Sequence, residues 1–192
     1  PAQLAGALQT AFVNAARGVE TGEPGALAKL KAIAEAGHPP AQFYLGKLYE
    51  TGDHGVRQNL AEARVWTERA AEGGDASAMH NLALFDFHGE GGAQDLAGAA
   101  RWFRAAAEQG IVDSQFNLGL LYQAGSGVPR DAVQAYTWFA IAAAGGDAQA
   151  RANAESLRAQ LSPDQKVVAD NAAAAFQERT GAAARRGVAL SR

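Results

Sequence analysis

Apolar residues recur along this chain at three- and four-residue spacing, in short runs that each end at glycine. That stripe is the mark of an amphipathic helix packed along one side. Three runs of one kind fall at about 39–50, 76–87 and 112–123 and stop at Gly52, Gly89 and Gly125. Glycine there can take the left-handed conformation that ends a helix. Runs of a second kind begin after Asn59, Asp95 and Asp131. Each of these is a short side chain able to accept hydrogen bonds from the unpaired N–H groups of a first helical turn. The spacing therefore predicts helix caps rather than metal ligands.

The runs repeat in register. Trp66, Trp102 and Trp138 lie 36 residues apart, with Ala63, Ala99 and Ala135 three residues before them and Ala70, Ala106 and Ala142 four after. Gly74, Gly110 and Gly146 close the units, and Gly55, Gly91 and Gly127 precede the second helix of each. Leu45, Leu82 and Leu118 hold one further position, and one extra residue near Asp53–His54 makes the first spacing 37. Periodicity of this kind predicts stacked helix pairs, with the tryptophans in the core between helices. The expected organisation has four parts. Residues 1–37 form an N-terminal helix (about 2–17) and a partial repeat (about 24–36), and 38–146 form three full repeats. Residues 147–180 form a decaying repeat and a covering helix, and 181–192 a basic tail or linker. Ser162-Pro163-Asp164-Gln165 predicts the start of the covering helix, about 163–179, through a reciprocal serine–glutamine cap with proline in the first turn.

Composition sharpens this picture. The 192 residues include 47 alanines and 22 glycines, which suit short close-packed helices separated by tight turns. No cysteine is present, so disulfides, thiol nucleophiles and cysteine-ligated metals are excluded. No apolar run is long enough to span a bilayer. A net charge of −3 argues against duplex nucleic acid as the main partner. The start at Pro1 suggests a segment excised from a longer chain.

The string Phe116-Asn117-Leu118-Gly119-Leu120-Leu121-Tyr122, then Gly125-Ser126-Gly127-Val128-Pro129-Arg130-Asp131, Ala135 and Trp138-Phe139, resembles the Sel-one-like repeat, a relative of the tetratricopeptide repeat. Resemblance covers about residues 24–161. The first unit lacks the proline and has Thr67 after its tryptophan. The second has Gly92-Ala93 in place of Val-Pro and Asp86 in place of tyrosine. The resemblance implies an all-α, right-handed α-solenoid. The alanine-rich end of the third repeat, Leu157–Leu161 and Ser162–Gln165 also resemble the end of the repeat region in PodJ-type polar localisation factors of alphaproteobacteria. That implies a periplasmic segment of a polarity organiser.

No chemistry-bearing motif appears. Of the four histidines, His38 and His54 fall in predicted loops and His88 at a helix end, and none forms a helical His-x-x-x-His pair with another. Phosphate loops and nucleophile elbows are absent, since Gly125-Ser126-Gly127 is the repeat turn itself. Acid–base catalysis would need a buried carboxylate, and the sequence suggests none. No cofactor or metal is expected, and the expected function is non-enzymatic binding. By analogy to tetratricopeptide arrays, the first helices line a concave side. The candidate partner-binding rows are then Phe43, His80 and Phe116; Tyr44, Asn81 and Asn117; Lys47, Leu84 and Leu120; and Phe87 with Gln123. The asparagines can hold an extended peptide backbone, or bond within the fold. Leu84 and Phe87, exposed together, would make an apolar anchor spot or pack on the next repeat. A protein or peptide partner follows, with peptidoglycan or another polysaccharide, stacked on Phe43, Tyr44 and Phe116, as the alternative. Self-association through the concave or a terminal surface is a further expectation.

Overall fold

The computed structural model describes residues 2–190, with side chains at residue 3 and from 5 to 181. Among the described residues all regular structure is helical. In chain order the helices are α1 (Ala2–Glu20), α2 (Ala26–Glu35), α3 (Pro39–Thr51), α4 (Leu60–Glu72), α5 (Ala76–His88), α6 (Leu96–Glu108), α7 (Val112–Ala124), α8 (Ala132–Ala144), α9 (Ala148–Arg158) and α10 (Pro163–Leu190). Contacts gather them into two units, Pro1–Trp102 and Phe103–Arg192, divided within α6.

The ends of the helices follow from the residues expected to end them. Gly52, Gly89 and Gly125 sit at φ 78°, 71° and 75° and close α3, α5 and α7. Asn59 accepts from the N–H groups of Ala61 and Glu62, Asp95 from Gly98, and Asp131 from Val133 and Gln134. All three are caps, as the spacing predicts. Ser162 and Gln165 form the reciprocal box at the start of α10. The Gln165 N–H donates to Ser162 Oγ at 3.2 Å, and the Ser162 N–H donates to Gln165 Oε1 at 2.9 Å.

In the first unit a core of Val19, Leu30, Leu45, Leu48, Val56 and Trp66 runs from α1 through α4, with alanines where helices approach closely. In the second, Leu118, Leu121, Trp138, Phe139 and Leu157 are buried, and Phe176 of α10 meets Trp138 edge-on at 5.7 Å. Burying one such large apolar side chain stabilises the fold by roughly 1.5–3 kcal/mol. Trp66 and Trp138 are core residues, whereas Trp102 is only half-buried. A correction is needed at the end of the chain. Helix α10 does not stop near Arg179 but continues to Leu190, through most of the segment expected to be a tail or linker. Alanine at 182–184 keeps the helix favourable where the arginines alone suggested a linker. Arg192 lies outside the described residues.

Candidate functional site

Helices α3 and α5 of the first unit carry one set of candidate residues, and α7 of the second unit carries the other. On α3, Phe43, Tyr44 and Lys47 are half-buried, and so are His80, Asn81, Leu84 and Phe87 on α5. On α7, Phe116 and Asn117 are half-buried while Leu120 and Gln123 are exposed. None is consumed by a core, so every row reaches a surface. Leu84 and Phe87 are not exposed together as an open apolar spot: both are half covered, and Phe87 lies edge-on to His88 at 5.1 Å.

The polar members have different local bonding. Lys47 Nζ pairs with Glu50 at 2.9 Å, and Asn81 Nδ2 donates to the same carboxylate at 3.3 Å, tying α5 to α3. Asn153, the equivalent residue on α9, accepts from Gln149 Nε2 at 3.0 Å. Asn117 makes no hydrogen bond through its side chain among the described residues, so its amide retains donors and acceptor for an outside group. Two of the aromatic members do not stand free. Tyr44 meets Phe12 edge-on at 6.1 Å, and burial, then the charge and hydrogen bond of Glu20, hold its hydroxyl above the usual phenol range. Phe116 packs on Phe139 with centroids 5.6 Å apart.

Two polar clusters escaped the sequence reading. Asp86 is a buried carboxylate, contrary to the expectation of none, and burial raises its pKa despite the opposing charge of Arg64. It accepts a short hydrogen bond from Arg64, whose guanidinium also donates to the carbonyls of Glu90 (3.3 Å) and Ala93 (3.2 Å). That oxygen is committed to structure. In the second unit the Tyr136 hydroxyl donates to Asp170 at 2.6 Å, while Arg158 donates to Tyr136 at 2.6 Å and to both Asp170 oxygens at 2.8 Å. The hydrogen bonds from Tyr136 and Arg158 hold the Asp170 carboxyl below the usual range. Tyr136 and Arg158 occupy the repeat positions of Arg64 and Asp86, 72 residues on. The pairing was therefore visible in the register once these two columns were read side by side. No group of three or more metal-ligating side chains exists among the described residues, and no described helix is long and apolar enough to cross a membrane.

Helix pairs repeated with glycine-closed turns and a shared tryptophan position define a helical-repeat protein of the α-solenoid class. The Sel1 repeat matches three times, at residues 39–75, 76–111 and 112–147, and the chain belongs to the Sel1 repeat family. Among curated proteins, the localization factor PodJL of Caulobacter vibrioides, in two strains, is 50% identical over 169 residues. The match takes in 88% of this chain and 17% of that protein, so the chain spans about a sixth of these relatives' length. Among solved structures, a Sel1 repeat protein from Oxalobacter formigenes superposes with a TM-score of 0.63 at 36% identity, over 69% of this chain and 98% of that one. A protective antigen of uropathogenic Escherichia coli with an SLR fold superposes at 0.51 and 29% identity, over 81% of this chain and 41% of that one.

Proposed function

We propose that this chain is a non-catalytic interaction module within a polar localisation factor, placed in the periplasm, and that it holds an extended segment of a partner protein along its first helices. The observation that carries this reading is the 50% identity to a localization factor across nearly the whole chain, within a family of repeats. The residue that would grip a partner's backbone is Asn117. Its amide is unspent, and it stands between Phe116 and the exposed Leu120 on α7. On the first unit the Lys47–Glu50–Asn81 network and Phe87 offer a second contact row. Polysaccharide stacking is disfavoured, because Tyr44 and Phe116 are packed against Phe12 and Phe139.

Photocrosslinking in cells tests the proposal. A benzophenone side chain replaces Leu120 or Phe87 in the full parent protein, with the exposed Gln160 in the turn after α9 as a control. Discrete protein adducts at the first two positions, lost on Asn117→Ala, are expected. Equal adducts at all three positions, or retention of the purified chain on sacculi undiminished by that variant, would count against it. An alkaline phosphatase fused after Arg192 of this sequence, within the parent protein, should be active, because the enzyme needs an oxidising compartment to form its disulfides. An inactive but stable fusion would overturn the placement.

A further inference from the structure

The first two repeats build the same joint with opposite charge. In the second, the space between α4, the end of α5 and the loop that follows is filled by the protein's own Arg64. Its guanidinium is held by Asp86 and two loop carbonyls, with Glu68 adding negative charge nearby. The 37-residue offset that aligns the helices places Leu27 at the Arg64 position, Lys31 at the Glu68 position and Tyr49 at the Asp86 position. The filling guanidinium is gone and both acids are replaced. What remains is a cavity of about 460 Å³ lined by Lys31, Tyr49 and the loop from Gly55 to Asn59.

The backbone frame of the two joints is the same. The Asn59 N–H donates to the Tyr49 carbonyl at 2.8 Å, as the Asp95 N–H does to the Asp86 carbonyl. Gln58 Nε2 reaches the Glu50 carbonyl at 2.9 Å, as Gln94 Nε2 reaches the Phe87 carbonyl at 2.7 Å. The loop of the first repeat is one residue longer, and His54 sits within it in the left-handed region at φ 52°. A non-glycine residue there is uncommon.

Charge then decides the occupant. Lys31 Nζ lies 6.0 Å from the centre of the Tyr49 ring, and Arg57 is exposed at the same cavity. Among the described residues neither cation has a carboxylate within ion-pair distance, and the loop's own Asp53 pairs with neither. Tyr49 also lies on a different face of α3 from Phe43, Lys47 and Glu50, at 100° per residue around the helix. The cavity is therefore separate from the candidate rows.

We propose that this cavity receives a carboxylate side chain from an acidic, extended segment of a partner protein, paired by Lys31 and Arg57 and seated against Tyr49. The proposal rests on the reading of the chain as an interaction module. In the second repeat Arg64 fills the joint from within; in the first a partner's acid fills it from outside.

The test is a titration of the ¹⁵N-labelled chain with a hexaglutamate peptide at low salt, with hexalysine and inorganic phosphate in parallel. Saturable shifts centred on the amides of Gly55, Val56 and Arg57 are expected with hexaglutamate and not with hexalysine. Lys31→Glu together with Arg57→Glu should weaken binding at least ~10-fold, as charge reversal does at a paired contact. The rest of the spectrum should stay unchanged, which shows that the variant folds. Binding by the double variant equal to that of the parent chain overturns the proposal. So does phosphate saturating these amides more tightly than the peptide, which would assign the cavity to a free anion. Shifts confined to Asn81, Asn117 and their neighbours would overturn the cavity while leaving the module reading standing. Shifts at the cavity without adducts at Leu120 or Phe87 would support the cavity and remove the row.

Discussion

Replacing Arg64 with methionine keeps the aliphatic stem and removes the guanidinium from the second joint. Asp86 is then left with a carboxylate that is 6% exposed and has lost its ionic partner. Breaking a fully buried ion pair by removing one member costs about 3–5 kcal/mol. Arg64 keeps 20% of its side-chain surface, and water can reach the loop carbonyls it leaves, so the loss should be nearer ~2–3 kcal/mol. For a chain of this size that is a fall in Tm of roughly 4–12 °C. The sign with pH follows from burial, which holds the Asp86 carboxyl above the ordinary range while Arg64 opposes it. Without Arg64 its pKa rises further. Between the unfolded value of about 4 and the raised folded value, the folded chain binds the proton and the unfolded chain does not. Stability therefore declines as pH rises through that window. Denaturant unfolding of both proteins at about pH 4 and about pH 7 is the assay, and most of the variant's deficit should appear only at the higher pH. A deficit below about 0.5 kcal/mol, or one equal at both pH values, would refute the assignment of Asp86 as a carboxylate dependent on its arginine. Asp86→Asn in the Arg64→Met background should recover part of the loss, because it removes the stranded charge.

Three further outcomes follow from the packing. Asp170→Asn should cost about 0.5–1 kcal/mol, discounted because both ends of its pair with Arg158 are partly exposed. Its contribution is present above the ordinary carboxylate pKa and is lost as pH falls through the lowered folded value, so hydrogen exchange in α10 should match the variant in acid and be slower in the parent near neutrality. Thr67→Val should stabilise by ~1 kcal/mol, since Oγ1 is buried without a hydrogen-bond partner and valine has the same shape; a lower Tm would contradict that. Gly119→Ala should destabilise by about 1–3 kcal/mol, because its Cβ would lie 2.7 Å from ring carbons of the fully buried Phe139. Unchanged unfolding would show that the ring has room to move.

Helix positions, caps and turns were legible because each depends on neighbours within a few residues. Gly125 closes α7 and Asp131 caps α8 through bonds made inside their own turns. The candidate rows were legible as surface positions for the same reason, since one helical period assigns each residue a side. What was hidden depends on contacts between helices. Whether Asn81 is spent on Glu50 or Asn117 is left unpaired turns on a side chain in another repeat, which periodicity does not see. Asp86 was visible as a departure from tyrosine, but its burial became intelligible only beside Arg64. The length of α10 is not legible from its arginines, which suggest a linker, because its alanines favour helix.

The clasp of Arg158, Tyr136 and Asp170 fastens α10 across α8, where the second unit's core ends. At the N-terminal end α1 leans chiefly on α2 and reaches α3 through Phe12 against Tyr44 at 6.1 Å, with Gln9 reaching His38 at 3.1 Å. The two margins therefore differ in how readily they come undone. Under limited proteolysis or a pulling force, the chain should fray first from α1, one helix pair at a time, while the clasped end holds. An acidic medium that protonates Asp170 would narrow that difference, and the order in which fragments appear would record it.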